Sequence, residues 1–226
     1  MPDKPGRQQP SGKYRTPLTF RRMATTPHTT AFANRPLFRN ESVAIAALFL
    51  RNSDWKTVQQ LVLANNLLQS RTLSNAERLC RELISRVKTL SAAELALLVN
   101  GTPIEQGYIL WIAVCRRYPL IAHFAGEVLR ERYISLKPEV RHEEFDSFFN
   151  KLSDLHANLE AFEPATRSKR RQILFKLLRE TELIDAKHRI IPARLTGRLV
   201  DAVSETDPTA LTWFPVFESD LKNLSR

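Results

Sequence analysis

From Asn40 onward the chain reads as one helix after another, each with a start signal and an apolar stripe of helical period, which leaves little sequence for a sheet. Asn40 is placed to cap a helix over 41–50. Ser53 is placed to cap a second over 54–65, where Trp55, Val58, Leu61 and Val62 recur at three- and four-residue steps. Ser74 opens a third, with Leu79, Leu83, Val87 and Leu90 on one face and Arg78, Arg81, Glu82, Arg86 and Lys88 on the others. Ser91 with Glu94 forms a capping box, and Gly101 stops that helix. Thr102-Pro103 with Glu105 starts the next, which carries Ile104, Tyr108, Trp111, Ile112 and Cys115. Pro119 forces a break, and 120–133 resumes as a helix with Ile121, Phe124, Val128 and Leu129 inside.

Beyond it, a short helix over 143–151 turns Phe145, Phe148 and Phe149 inward, and 164–180 is amphipathic with Ile173, Leu174, Leu177 and Leu178 buried. Residues 183–191 suit a small β-hairpin around Asp185-Ala186-Lys187, although that turn lacks the glycine or asparagine such turns prefer. A helix over 194–203 follows. A last short helix begins at Asp207-Pro208, and its Trp213, Phe214 and Phe217 must cover something. The expected fold is therefore all-α and compact, with a body over 39–203, sub-lobes at 39–138 and 139–203, and a C-terminal extension over 204–226.

The first 38 residues differ in kind. They hold six of the thirteen prolines, show no apolar periodicity, and read as a disordered basic arm. Met23 is the only methionine after Met1, so translation starting there would remove much of that arm. The longest apolar runs, 43–50 and 108–115, are eight residues each, against about twenty for a spanning helix, so a cytoplasmic protein is expected. Cys80 and Cys115 lie in no metal-binding spacing and read as reduced, buried thiols.

The net charge of +10 is segmented. Residues 1–38 carry seven basic residues and one acidic, 139–163 two against seven, and 164–198 ten against three. Grouped cations on one surface are what phosphate binding needs. Arg167, Lys169, Arg170 and Arg171 also crowd a helix N-terminus, where the helix dipole favours anions rather than cations. An external anion would compensate them; the competing explanation is a solvated face answered by the acidic segment just before it. Arg179, Arg194 and Arg198 extend the group. Arg116 and Arg117 end a helix where cations are ordinary, but Tyr118 beside them is a ring able to stack on a base, and Arg130 follows one helix later. Lys4, Arg7, Lys13, Arg15, Arg21 and Arg22 give the arm a capacity for unspecific phosphate contact.

Catalytic signatures are missing. The sequence has no phosphate-cradling glycine loop, nucleophile elbow or His-Glu-x-x-His, and its five histidines are scattered, so neither an enzyme nor a cofactor is expected. Glu182, Asp185 and Lys187 imitate part of a metal-dependent nuclease, but a further acid on a packed strand would be required.

The stretch Leu110-Trp111-Ile112-Ala113-Val114-Cys115-Arg116-Arg117-Tyr118-Pro119, then Phe124, Glu127-Val128-Leu129-Arg130-Glu131 and Glu144-Phe145-Asp146-Ser147-Phe148-Phe149-Asn150, resembles the BrxA family of bacteriophage-exclusion (BREX) systems. The likeness continues through Leu159-Glu160, Thr166-Arg167, Arg170-Arg171-Gln172-Ile173-Leu174-Phe175 and Leu178-Arg179-Glu180, spanning about 38–203. The resemblance implies a small helical component of phage defence, working beside a DNA methyltransferase, an ATPase and other BREX subunits, with a fold likened to the RNA-binding factor NusB. It assigns no catalytic residue. The arm and residues 204–226 depart from it. Together, charge and family context lead to the expectation of a non-catalytic protein that contacts duplex DNA. An RNA-binding role and a pure adaptor docking other BREX subunits are the alternatives.

Overall fold

The computed structural model describes residues 33, 35–154 and 163–224. Among them the chain is all-α, with helices α1 (Arg39–Asn52), α2 (Trp55–Ala64), α3 (Leu73–Val87), α4 (Ala92–Asn100), α5 (Pro103–Arg117), α6 (Pro119–Phe124), α7 (Glu131–Ile134), α8 (His142–Ser153), α9 (Pro164–Glu180), α10 (Gly197–Ser204) and α11 (Glu218–Leu224). A π-helical segment, Ala125–Arg130, joins α6 to α7, and a 3-10 segment, Pro208–Trp213, follows α10. The expected helix after Pro119 is thus present, but its middle is widened by a π turn that the apolar spacing does not reveal.

The central element is α5, where Gly107 to Cys115 are all buried, and α1, α3, α4, α6 and the 3-10 segment pack around it. The capping boxes at Ser91/Glu94 and Thr102/Glu105 form as the sequence requires. Other caps shift. Asp54 rather than Ser53 accepts the Thr57 N–H at 2.7 Å, and Thr72 rather than Ser74 caps α3. Asn40 lies inside α1, which starts at Arg39, two residues before the expected start, with Phe38 at the cap position in a left-handed conformation (φ 53°) and no side-chain cap.

Tertiary contacts hold that start instead. The Arg86 guanidinium, 2 % exposed, donates to the carbonyls of Pro36 (2.8 Å) and Arg35 (3.1 Å), and Glu180 accepts the Leu37 N–H at 2.7 Å. Ala33 and Leu37 are buried. Residues 35–38, which the sequence assigns to a disordered arm, are therefore a strap packed on the body. Residues 1–32 and 34, with Lys4, Arg7, Lys13, Arg15, Arg21, Arg22 and Met23, lie outside the described residues, as does Leu159-Glu160.

The hairpin forms as single-residue bridges rather than a sheet. Ile184 pairs with Ile190, and Arg189 pairs with Glu139 from the segment before α8, both antiparallel. The absent glycine is replaced in two ways. The Asp185 carboxylate accepts the N–H groups of Lys187 (2.8 Å) and Arg189 (2.9 Å), and His188 takes the left-handed backbone (φ 62°). Residues 192–196 stay irregular, so the helix expected from Arg194 begins at Gly197.

The aromatic cluster near the C-terminus covers the core. Trp111 Nε1 donates to the Trp213 carbonyl at 3.1 Å, Phe214 is buried edge-on to Tyr108, and Phe217 lies 4.8 Å from Tyr133 between ring centroids. Cys80 and Cys115 are buried free thiols, both pushed above the ordinary thiol value by burial. No described helix is long and apolar enough to cross a membrane.

Candidate functional site

The geometry of α9 separates the basic residues of 164–198 into two sets. Stepping back from the buried Leu178, Leu177 and Leu174 by three and four residues reaches Arg171, Arg170 and Arg167. These three arginines continue the inward stripe, and Arg167 and Arg171 meet α8. Arg167 donates to Asn150 Oδ1 (2.7 Å) and the Asp146 carbonyl (2.6 Å), and its guanidinium lies 5.0 Å from the Phe149 ring centre. Arg171 Nη1 donates to Asp146 Oδ2 at 2.5 Å. Burial draws the Arg170 guanidinium below its ordinary value. The acidic segment therefore answers the cations that follow it, and this contact fixes α9 on α8.

The opposite stripe of α9 is exposed: Ala165, Lys169, Gln172, Lys176 and Arg179, again at three- and four-residue steps. Lys176 makes only a long ion pair with Glu180, 3.8 Å. Arg179 Nη1 lies 3.4 Å from His188 Nε2, tying the end of the helix to the hairpin, whose Lys187 and Arg189 are also exposed. His188 touches the rings of His142 and Phe175, and its imidazole is held below the ordinary histidine value, first by burial, then by His142 and Arg179.

The remaining expected residues do not join this surface. Arg116 forms a bidentate pair with Glu94, at 2.6 and 2.8 Å, where the carboxylate is fully buried and the arginine side chain 12 % exposed. Arg116 also donates to the Thr89 carbonyl and approaches Asp207. Arg117 donates to Ser85 and lies over the Tyr118 ring. Tyr118 is itself buried, with its hydroxyl donating to Glu82, and burial raises its phenol to about 12. The expected stacking ring is thus corrected to a core residue, because the fold closes over it. Arg130 sits on the π-helical segment with Nε buried. Arg198 pairs with both oxygens of the buried Glu105, while Arg194 is exposed and its N–H donates to Tyr108. Of the sequence-derived candidates, Lys169 and Arg179 share the outward face of α9.

Gln172, Lys176, Lys187 and Arg189 belong to the same exposed region and were not singled out by charge density. Counting the helical step from the leucine stripe would have found the two on α9, because it sorts each cation to the inner or outer side. The partial nuclease pattern does not assemble: the Asp185 carboxylate is engaged by the hairpin turn, including Arg189 Nε at 2.6 Å. No group of three or more potential metal ligands occurs among the described residues.

A family model described as BrxA matches residues 26–207, most of the chain. The chain belongs to the BrxA family. That match takes in residues 26–38, so the family pattern reaches into the arm rather than stopping at its end. A curated relative, the BREX protein BrxA of Escherichia coli O9:H4 (strain HS), is 27% identical over 154 residues, covering 68% of this chain and 72% of the relative. The crystal structure of an uncharacterized protein from Magnetospirillum magneticum shares the fold. Its TM-score is 0.70 at 17% identity, and the match covers 80% of this chain and 94% of that one.

Proposed function

We propose that this BrxA-family protein serves a BREX phage-defence system as a non-catalytic subunit that binds duplex DNA and associates with other BREX subunits. The observation that carries the DNA reading is the outward stripe of α9, where Lys169, Lys176 and Arg179 stand exposed on one helix face while neighbouring arginines of the same helix are engaged with α8. Cations grouped on one exposed face are what neutralising a phosphate backbone needs, and the affinity comes from counterion release. Arg194 adds charge beyond the hairpin.

The adaptor reading rests on the acidic segment and on Trp213, Phe214 and Phe217, of which Phe214 is buried while Trp213 and Phe217 are half-buried. Titration of the full chain with duplex DNA over a range of salt tests the proposal. Binding should weaken steeply with salt, and the double replacement Lys169→Ala, Arg179→Ala should lower affinity for all sequences and reduce the log–log salt slope by about 2. Equal binding by the double variant would overturn the assignment of this face.

A further inference from the structure

The strap over 35–38 is gripped by groups that do not depend on it. The Arg86 guanidinium donates to the Pro36 and Arg35 carbonyls, but it also donates to Glu82 Oε1 at 3.1 Å and lies 5.7 Å from the Tyr118 ring centre. Without the strap, the buried cation keeps its carboxylate and its ring, and water replaces the two carbonyls. Little else opposes release. Leu37 and the preceding Ala33 are the buried anchors, and the Arg35 bond to Asn75 (2.9 Å) is exposed. A cleft of about 350 Å³ lies between Pro36–Phe38, the first turn of α1 and Glu180. Phe38 holds a left-handed backbone (φ 53°), a conformation that costs a bulky residue energy and that release relieves. A segment with few buried apolar contacts and stored backbone strain opens well below global unfolding.

On its other side the strap meets the end of α9. Glu180 Oε2 accepts the Leu37 N–H at 2.7 Å, one residue after Arg179 and one turn after Lys176. That bond turns the carboxylate towards the strap and leaves Lys176 with a long contact, 3.8 Å to Oε1. Freed from Leu37, Glu180 becomes a full i,i+4 partner for Lys176. We infer that the strap is a releasable clasp that sequesters Glu180 and so controls the cation face of α9. Closed, it leaves Lys176 and Arg179 to phosphate. Open, Glu180 takes Lys176 and adds negative charge beside Arg179, and duplex affinity falls. The inference rests on the DNA-binding reading and adds its regulation. Such coupling is reciprocal, so a bound duplex in turn favours the closed strap.

Hydrogen exchange of the full chain measures the clasp directly. The Leu37 amide should exchange on the order of 100-fold faster than the buried amides of α5, through a local opening that low urea hardly changes. Arg86→Lys keeps the charge against Glu82 but loses the fork that spans two carbonyls, and should make that opening about tenfold more frequent. Saturating duplex DNA should slow exchange at Leu37 by about fivefold in the unaltered chain. Exchange of Leu37 only with global unfolding would overturn the clasp.

Duplex titration over a range of salt, with thermal melting to confirm folding, tests the control of α9. Leu37→Ser removes an anchor and no charge, yet it should lower affinity about fivefold and the salt slope by up to about 1. Adding Glu180→Gln should restore both, because the released end of α9 then carries no carboxylate to compete with phosphate. Failure of the unaltered chain to bind duplex DNA at low salt would overturn the DNA-binding reading, and the coupling with it. Duplex binding that leaves Leu37 exchange unchanged, or a loss in Leu37→Ser that Glu180→Gln does not restore, would overturn the control by the clasp alone.

Discussion

The carboxylate of Glu105 and the guanidinium of Arg198 are joined through two hydrogen bonds across 93 residues, the first of them 2.6 Å from Nε to Oε1. The same carboxylate accepts the Thr102 N–H at 2.8 Å to cap α5 and the Thr196 hydroxyl at 2.6 Å at the start of α10. A local helix signal therefore doubles as a long-range clip, and Arg198, foremost among its causes, holds the Glu105 carboxyl far below its ordinary value of 4.5. A depressed carboxyl contributes stability that is complete above the unfolded-state value and disappears as pH falls through the folded-state value. Glu105→Gln should cost roughly 2 kcal/mol near neutrality. In urea denaturation followed by circular dichroism, the gap from the unaltered chain should shrink as pH falls below about 4.5; a gap independent of pH would refute the clip.

Arg116 and Glu94 form the equivalent clip between α5 and α4 with less access to water. Truncating the arginine leaves a carboxylate with no exposure inside the fold, for which the cost is about 3 kcal/mol. Arg116→Ala should therefore lower the midpoint of urea denaturation markedly. At a temperature where the variant remains folded, it should bind duplex DNA with the salt slope of the unaltered chain. A reduced slope in the folded variant would mean that Arg116 meets phosphate after all.

Both clips show where sequence reading reaches its limit. Ser91/Glu94 and Thr102/Glu105 are legible as capping boxes because every partner lies within one turn. That the same carboxylates would recruit Arg116 and Arg198 depends on which helix ends meet in space, and no local pattern records it. The π turn is hidden for a related reason: tertiary packing selects it, while the apolar residues keep an ordinary helical rhythm. The two sides of α9 are the opposite case. Leu174, Leu177 and Leu178 fix the inward direction, so the placement of Arg167, Arg170 and Arg171 was available from spacing, and counting charge alone concealed it. Tyr118 follows the same lesson, since a ring next to two arginines reads as a surface feature until the helix break at Pro119 turns it inward.

His188 carries a prediction in the mildly acidic range. Burial, followed by the nearby His142 and Arg179, lowers its value below 6.5, while Asp185 and Glu139 pull weakly the other way. Lowering disfavours the charged form in the folded chain, so the stability it contributes is complete above the unfolded-state value and is lost as pH falls through the folded-state value. His188→Asn keeps a residue that tolerates the left-handed backbone at φ 62°. The variant should lose less stability than the unaltered chain between pH 7 and pH 5 in thermal melts. Parallel curves would show that His188 does not titrate across folding.

The inner and outer cations of α9 should separate into stability and binding. Arg171 bonds Asp146 and Arg167 bonds Asp146 and Asn150, so replacing either by alanine removes a partly buried contact between α9 and α8. A charged hydrogen bond of this kind is worth about 1.5–3 kcal/mol. Arg171→Ala should therefore lower the unfolding midpoint, and Asp146→Ala should lower it further because its carboxylate also pairs with Arg167, with the double variant costing little more than Asp146→Ala alone. Lys169→Ala lies on the exposed face and should leave the melting temperature nearly unchanged while reducing duplex affinity and the salt slope by about 1. The reverse pattern, with Arg171→Ala stable but weak in DNA binding and Lys169→Ala neutral, would place the phosphate contacts on the inner set and require α9 to leave α8 when DNA binds.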